Sequence, residues 1–224
     1  MSTDLSAVIF GATGSAGSAV LRACLADSRI ARVVAVTRRP LNAGAAKLQE
    51  AVCRDFLDME PIGEQLAGHD VCFYCLGVSQ ARVRDPVRYR EITLDYTLAA
   101  ARALEARSPS CTFHFLSGAG TDPSGRSRMM WARVKGEAEK AVQELGLAGV
   151  VCWRPGWIHP LHPGEGGWMT RQMSRVLHPL LRGFPGMTVS SVECGRAMLQ
   201  AALEEVRHGV LDNRDIRALA DRYQ

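Results

Sequence analysis

A short apolar run, "AVIF" (Ala7 to Phe10), opens directly onto "GATGSAG", and helical periodicity follows, with Ala16, Val20, Leu21 and Cys24 on one face. Gly11, Gly14 and Gly17 stand three apart at the junction. A strand that must turn sharply into a helix, let a ligand's pyrophosphate approach its backbone and pack the helix closely needs glycine at those points. The helix start then offers unpaired N–H groups and the positive end of its dipole to an anion. The context of strand, loop and helix makes the pattern far more specific than three glycines alone. The constraint is therefore a dinucleotide site at the head of an α/β fold.

The rest of the 224-residue chain fits that fold. "ARVVAVTRR", "EAVCRDF", "DVCFYCLG", "CTFHFLSG" and "AGVVCWRPG" read as further buried strands. Between them lie helical stretches: a short one in "MEPIGEQLAGH" and long ones in "PVRYREITLDYTLAAARALEAR" and "RSRMMWARVKGEAEKAVQELG". Strands of continuous apolar residues alternating with helices predict a doubly wound, mostly parallel sheet with helices on both faces. "WIHPLHPGEGGWMTRQ" is rich in Pro, Gly and His, and residues 157–190 are expected to form a small C-terminal, substrate-side lid. Helices are expected near 168–182 and 191–206. A single domain spanning 1–224 is the simplest organisation.

Composition narrows the partners. The net charge of +4 is mild and the arginines are dispersed, so nucleic acid is not an expected partner. No apolar run reaches the roughly 20 residues of a membrane helix, and no signal peptide is evident, so a cytoplasmic protein without a membrane partner is expected. The seven cysteines sit mainly in apolar runs and read as core residues; Cys72 and Cys75, three apart on a strand, point to opposite faces and cannot share a metal. No metal site is expected. The substrate is a small molecule that the sequence leaves unidentified, and a homodimer or another protein partner stays open.

The second strand ends in "TRRP", where a site for the unphosphorylated dinucleotide would place a carboxylate. Arg38 and Arg39 attract a 2′-phosphate through charge-assisted hydrogen bonds. NADP(H) is therefore expected over NAD(H).

These phrases, with "RDF" after the third strand, "CLG" after the fourth, a serine closing the fifth, "VKGEAE" in the next helix and "RPG" after the sixth strand, resemble the short-chain dehydrogenase/reductase superfamily. More narrowly they are similar to its atypical branch, which includes the Tat-interacting-protein-like oxidoreductases and the NmrA-like proteins. The resemblance runs from about residue 5 to 157. It implies that Gly11, Thr13, Gly14, Ser15, Ala16 and Gly17 line the pyrophosphate. Arg38 and Arg39 would hold the 2′-phosphate, Asp55 and Phe56 the adenine. Cys75, Leu76 and Gly77 would pass under the cofactor, Lys135 would bind the nicotinamide ribose, and Pro155 and Gly156 would border the nicotinamide. Ser117 would face a substrate carbonyl.

One implied residue is missing. In the superfamily a tyrosine one helical turn before the lysine donates the proton, and here that position holds Trp131. An indole N–H donates a hydrogen bond but releases no proton at useful pH. Lys135 itself is one of only three lysines among 27 basic residues, and a compact ammonium suits two ribose hydroxyls better than a guanidinium does. Tyr96, His159 and His162 are the other titratable candidates for an acid. Two readings follow: an NADP(H)-dependent oxidoreductase of a small carbonyl or alcohol, with a degenerate Ser117–Trp131–Lys135 site, or a non-catalytic NADP(H)-binding redox sensor or scaffold.

Overall fold

Strand β1 (Leu5–Phe10) alternates its side chains between two apolar layers. Val8 and Phe10 enter one core, Ala7 and Ile9 the other, and all four are fully buried. Such a strand can lie only at the centre of a sheet covered on both sides. A computed structural model, describing residues 4–41, 43–162, 165 and 185–224, places it there.

The sheet holds β1, β2 (Ile30–Thr37), β3 (Leu48–Val52), β4 (Val71–Tyr74), β5 (Thr112–Leu116), β6 (Gly149–Trp153) and a late strand at His208–Leu211. Their order is β3-β2-β1-β4-β5-β6 followed by the late strand, and every pairing is parallel. The order reverses between β1 and β4, the switch point at which open α/β sheets bind ligands. Helices α1 (Ser15–Ala26), α2 (Pro86–Arg90), α3 (Tyr96–Arg107), α4 (Met130–Gln143), α5 (Ser191–Leu203) and α6 (Asn213–Arg222) cover the two faces.

Several expectations shift for local reasons. "MEPIGEQLAGH" forms two 3₁₀ turns, Glu60–Ile62 and Glu64–Leu66, because Pro61 and Gly63 interrupt a regular helix. Helix α4 begins only at Met130, since the Asp122 carboxylate draws the N–H groups of Ser124 (2.9 Å) and Ser127 (2.6 Å) into a turn. A π-helical turn at Glu91–Asp95 joins α2 to α3. The final helix α6 carries a capping box between Asp212 and Asp215, a signal present in the sequence as "DNRD".

Of the expected lid at 157–190, residues 163–164 and 166–184, and with them the helix expected near 168–182, lie outside the described residues. Its two ends are short strands, β7 (Trp157–His159) and β8 (Thr188–Ser190), paired in parallel as a separate sheet. The late strand of the main sheet is numbered β9 accordingly.

Candidate functional site

A cavity of about 790 Å³ runs along the carboxyl edge of the sheet, across the switch point. Arg38 after β2 and Arg54 and Phe56 after β3 line it on one side. The β1–α1 loop and Cys75, Leu76 and Gly77 after β4 line its centre. Leu116 at the end of β5 and Gly156, Trp157 and Ile158 after β6 line the other side. Arg82, Arg88, Ile92 and Tyr96, from the crossover after β4, complete the wall.

The centre is built for close approach. Gly11 has φ +78°, and a Cβ there would lie 2.7 Å from the backbone of Cys75 and Leu76. At Gly17 a Cβ would lie 2.2 Å from the Gly11 carbonyl oxygen, so α1 can pack on the loop only without one. The first turn of α1 has no side-chain cap and no acidic residue. Its leading N–H groups therefore remain for an anion. Thr13, Gly14, Ser15 and Ala16 line the cavity, and Gly17 supports them from behind.

The β2–β3 side is positive. Arg38 and Arg54 have no ion-pair partner among the described residues, and no acidic residue appears among those lining the cavity. Arg39 does not reach the cavity wall, and Arg54, which no sequence pattern singled out, does. Parallel pairing of Thr37 with Val52 brings the two strand exits side by side, so Arg38 and Arg54 leave the sheet as neighbours. Asp55 turns outward, its carboxylate accepting from the Leu57 N–H at 2.9 Å. Phe56 packs against Tyr96, with ring centroids 5.6 Å apart.

On the β5–β6 side the three residues of the implied catalytic set stand behind the wall. The Ser117 hydroxyl is buried against that of Thr121 at 2.9 Å. Trp131 packs on Gly120 and the core rather than on the cavity. Lys135 donates to the backbone oxygens of Ser117 (3.0 Å) and Leu116 (3.3 Å) and sits 5.7 Å above the Phe115 ring. Burial lowers its pKa to about 8, against a smaller opposing pull from Glu139. Glu139 in turn holds Arg154, the arginine of "RPG", through hydrogen bonds of 3.0 and 2.5 Å. Pro155 lies behind Gly156, its carbonyl accepting from the Ala119 N–H at 2.7 Å.

Tyr96 is the tyrosine on the wall. Its hydroxyl donates to Glu91 at 3.0 Å, and Glu91 also pairs with Arg88. Burial and then the bond to Glu91 push the phenol up, which makes it a weaker acid. Neither His159 nor His162 lines the cavity.

A groove with this topology and this loop fits a nicotinamide dinucleotide, and comparison with known proteins agrees on NAD(P) as the cofactor. The profile of the NAD(P)H-binding family matches residues 11–175. The chain belongs to that family. It is 31% identical over 202 residues to Protein HTATIP2 of Rattus norvegicus, covering 87% of this chain and 79% of that protein. Protein FMP52, mitochondrial, of Saccharomyces cerevisiae is 27% identical over 207 residues, covering 89% and 88%. These relatives put the chain in the atypical branch of the short-chain dehydrogenase/reductase superfamily. The fold is shared with the Bordetella bronchiseptica enzyme WbmF in complex with NAD+, at TM-score 0.69 and 14% identity, over 98% of this chain and 78% of that one. A second structure, gox2253, gives TM-score 0.70 at 16% identity over 97% and 75%.

The relatives also correct one expectation. FMP52 proteins from Saccharomyces cerevisiae and Eremothecium gossypii are named mitochondrial, which overturns the cytoplasmic placement drawn from composition. No helix among the described residues is long and apolar enough to cross a membrane.

Proposed function

We propose that this protein is an NADP(H)-dependent oxidoreductase whose small carbonyl or alcohol substrate enters at the β5–β6 side of the cavity. The observation that carries the choice of cofactor is the lining itself: unpaired Arg38 and Arg54 at the adenosine side and no carboxylate among the described residues that line the cavity. A carboxylate would favour ribose hydroxyls and repel a 2′-phosphate; two guanidiniums do the reverse. The bound cofactor would supply the hydride. The glycine loop and the start of α1 hold the pyrophosphate, Phe56 and Tyr96 border the adenine, and Leu116, Gly156, Trp157 and Ile158 border the nicotinamide. Lys135 acts on the protein, holding the end of β5 so that Leu116 faces the cavity. With Trp131 in the tyrosine's place, the proton for a developing alkoxide comes from solvent water.

A second reading, a non-catalytic NADP(H)-binding sensor or scaffold, draws support from one observation. Ser117, Trp131 and Lys135 are all engaged with the protein behind the wall.

NADPH titration of the full chain, followed by NADPH oxidation with a panel of small aldehydes and ketones, tests both. Binding with turnover supports the oxidoreductase; binding without turnover supports the sensor. Absence of NADPH binding at high micromolar concentration would overturn both.

A further inference from the structure

The peptide group that joins Pro155 to Gly156 is held at both of its polar atoms. Its carbonyl oxygen accepts from the Ala119 N–H at 2.7 Å, and its N–H donates to Oδ1 of Asn213 at 2.9 Å. Asn213, only 4% exposed, is the first residue of α6. Its Nδ2 donates to the Gly186 carbonyl at 2.7 Å. One amide side chain therefore ties the turn after β6 to the segment that leads into β8. The start of α6 is itself fixed, by the Asp212 capping box and by the Arg154 N–H donating to Leu211 at 2.7 Å.

The junction leaves no slack. A Cβ on Gly156 would lie 2.2 Å from the Met187 carbonyl oxygen and 3.0 Å from Nδ2 of Asn213. Both ends of the amide are used in chemically distinct ways, so its orientation is set: an acceptor toward an N–H, a donor toward a carbonyl. Gly156 and the following Trp157 form the cavity wall on the β5–β6 side. With the arginines at the opposite side, a dinucleotide spanning the switch point brings its nicotinamide half here.

We propose that Asn213, far along the chain from every motif of the fold, is the positioning residue of the nicotinamide end. By fixing the Pro155–Gly156 peptide it sets where Gly156 and Trp157 stand against the ring. It contributes nothing to the adenosine half. The inference rests on the NADP(H) reading above.

The test compares two probes on the full chain by calorimetry: NADPH, and 2′-phospho-ADP-ribose, which carries the same adenosine and phosphates without nicotinamide. In wild type, NADPH binds more tightly than the fragment. Asn213→Ala is expected to weaken NADPH about tenfold and the fragment by less than about twofold, the signature of one lost buried hydrogen bond acting at one end. Asn213→Asp keeps an acceptor for the Gly156 N–H but sets a carboxylate oxygen against the Gly186 carbonyl, and is expected to weaken NADPH at least as much as alanine does while leaving the fragment within about twofold of wild type. Asn213→Ser, too short to bridge both partners, carries the same expectation as alanine if that variant does not fold. Equal weakening of both probes, no weakening of either, or an aspartate variant that binds NADPH like wild type would overturn the inference. Wild type that binds neither probe would overturn the NADP(H) reading itself, and the positioning role with it.

Discussion

Lys135 Nζ lies 3.0 Å from the backbone oxygen of Ser117, so the side chain that the superfamily would turn toward the cofactor's ribose is bonded instead to the main chain of the residue that would face substrate. The ammonium is satisfied by carbonyls at the end of β5 and sits where burial lowers its pKa to about 8. In the unfolded chain the same amine titrates near its ordinary value of about 10.4. Between these values the unfolded state binds more protons, so this group makes stability rise with pH from about 8 upward. Denaturant unfolding at pH 7.5 and 9.5 checks this as a difference: wild type is expected to gain stability over this interval relative to Lys135→Met. Equal changes in the two proteins would refute it.

Arg38 and Arg54 leave adjacent parallel strands side by side and face the same end of the cavity. Charge-assisted bonds to a phosphate contribute roughly 1.5–3 kcal/mol each. Replacing both by alanine is expected to lower NADPH affinity by roughly 10²- to 10⁴-fold while changing NADH affinity far less, as titration of each cofactor would read. Arg39→Ala is expected to leave the ratio of the two affinities unchanged.

Gly17 admits α1 onto the loop because it has no Cβ; an added one would sit 2.2 Å from the Gly11 carbonyl oxygen, a backbone atom that cannot swing aside. Gly17→Ala must push the helix away from the loop. Overpacking of this kind costs about 1–3 kcal/mol. The expected result is a lowered Tm together with loss of NADPH binding. A stable Gly17→Ala protein that binds NADPH like wild type would refute the role given to the loop.

The glycine loop was legible in the sequence because its demands are local: a turn, an approach and a helix start within seven residues. Five of the first six strands were legible for the same reason, each a largely buried apolar run, whereas the edge strand β3 buries only Ala51. What escaped depends on partners distant in the chain. Strand β9, "HGVL", is mostly exposed and becomes a strand only by pairing with β6. Strands β7 and β8 define each other across about thirty residues. At the site, helical spacing puts Trp131 and Lys135 on one face of α4 but does not say what lies opposite that face. Gly120, in the loop after β5, lies against the indole, Lys135 is bonded to the carbonyls of Leu116 and Ser117, and neither side chain lines the cavity. Arg54 carries no motif of its own beside Asp55 in "RDF"; its role depends on the β2–β3 pairing that sets it near Arg38 on the cavity wall.

Glu139 is 2% exposed and its carboxylate holds Arg154, itself 25% exposed, through two hydrogen bonds. The pair fastens α4 to the end of β6, one residue before the Pro155–Gly156 turn. Removing one partner leaves the other charge poorly solvated, which in fully buried pairs costs 3–5 kcal/mol. The partial exposure of Arg154 lowers the expectation for Glu139→Gln to roughly 2–3 kcal/mol of stability, measured by denaturant unfolding at pH 7. The charge lost also acts on its neighbour: the pull of Glu139 on Lys135 is upward, so the variant is expected to move the lysine's titration further down.

His114 sits fully buried in the middle of β5, its Nδ1 accepting from Trp153 Nε1 at 3.2 Å and its Nε2 without a hydrogen-bond partner. Burial pushes its pKa down to about 3. The folded state thus keeps the ring neutral through the range in which the unfolded chain, titrating near its ordinary 6.5, takes up a proton. The stability attached to the neutral ring is complete above about pH 6.5 and is lost as pH falls toward 3, at up to about 1.4 kcal/mol per pH unit. Between pH 7 and pH 5 wild type is expected to lose roughly 2 kcal/mol more than His114→Phe, a variant that fills the site without titrating. His69, also lowered by burial, remains in both proteins and cancels from the comparison. Parallel stability curves for the two proteins over this range would show that His114 is not held neutral by the core.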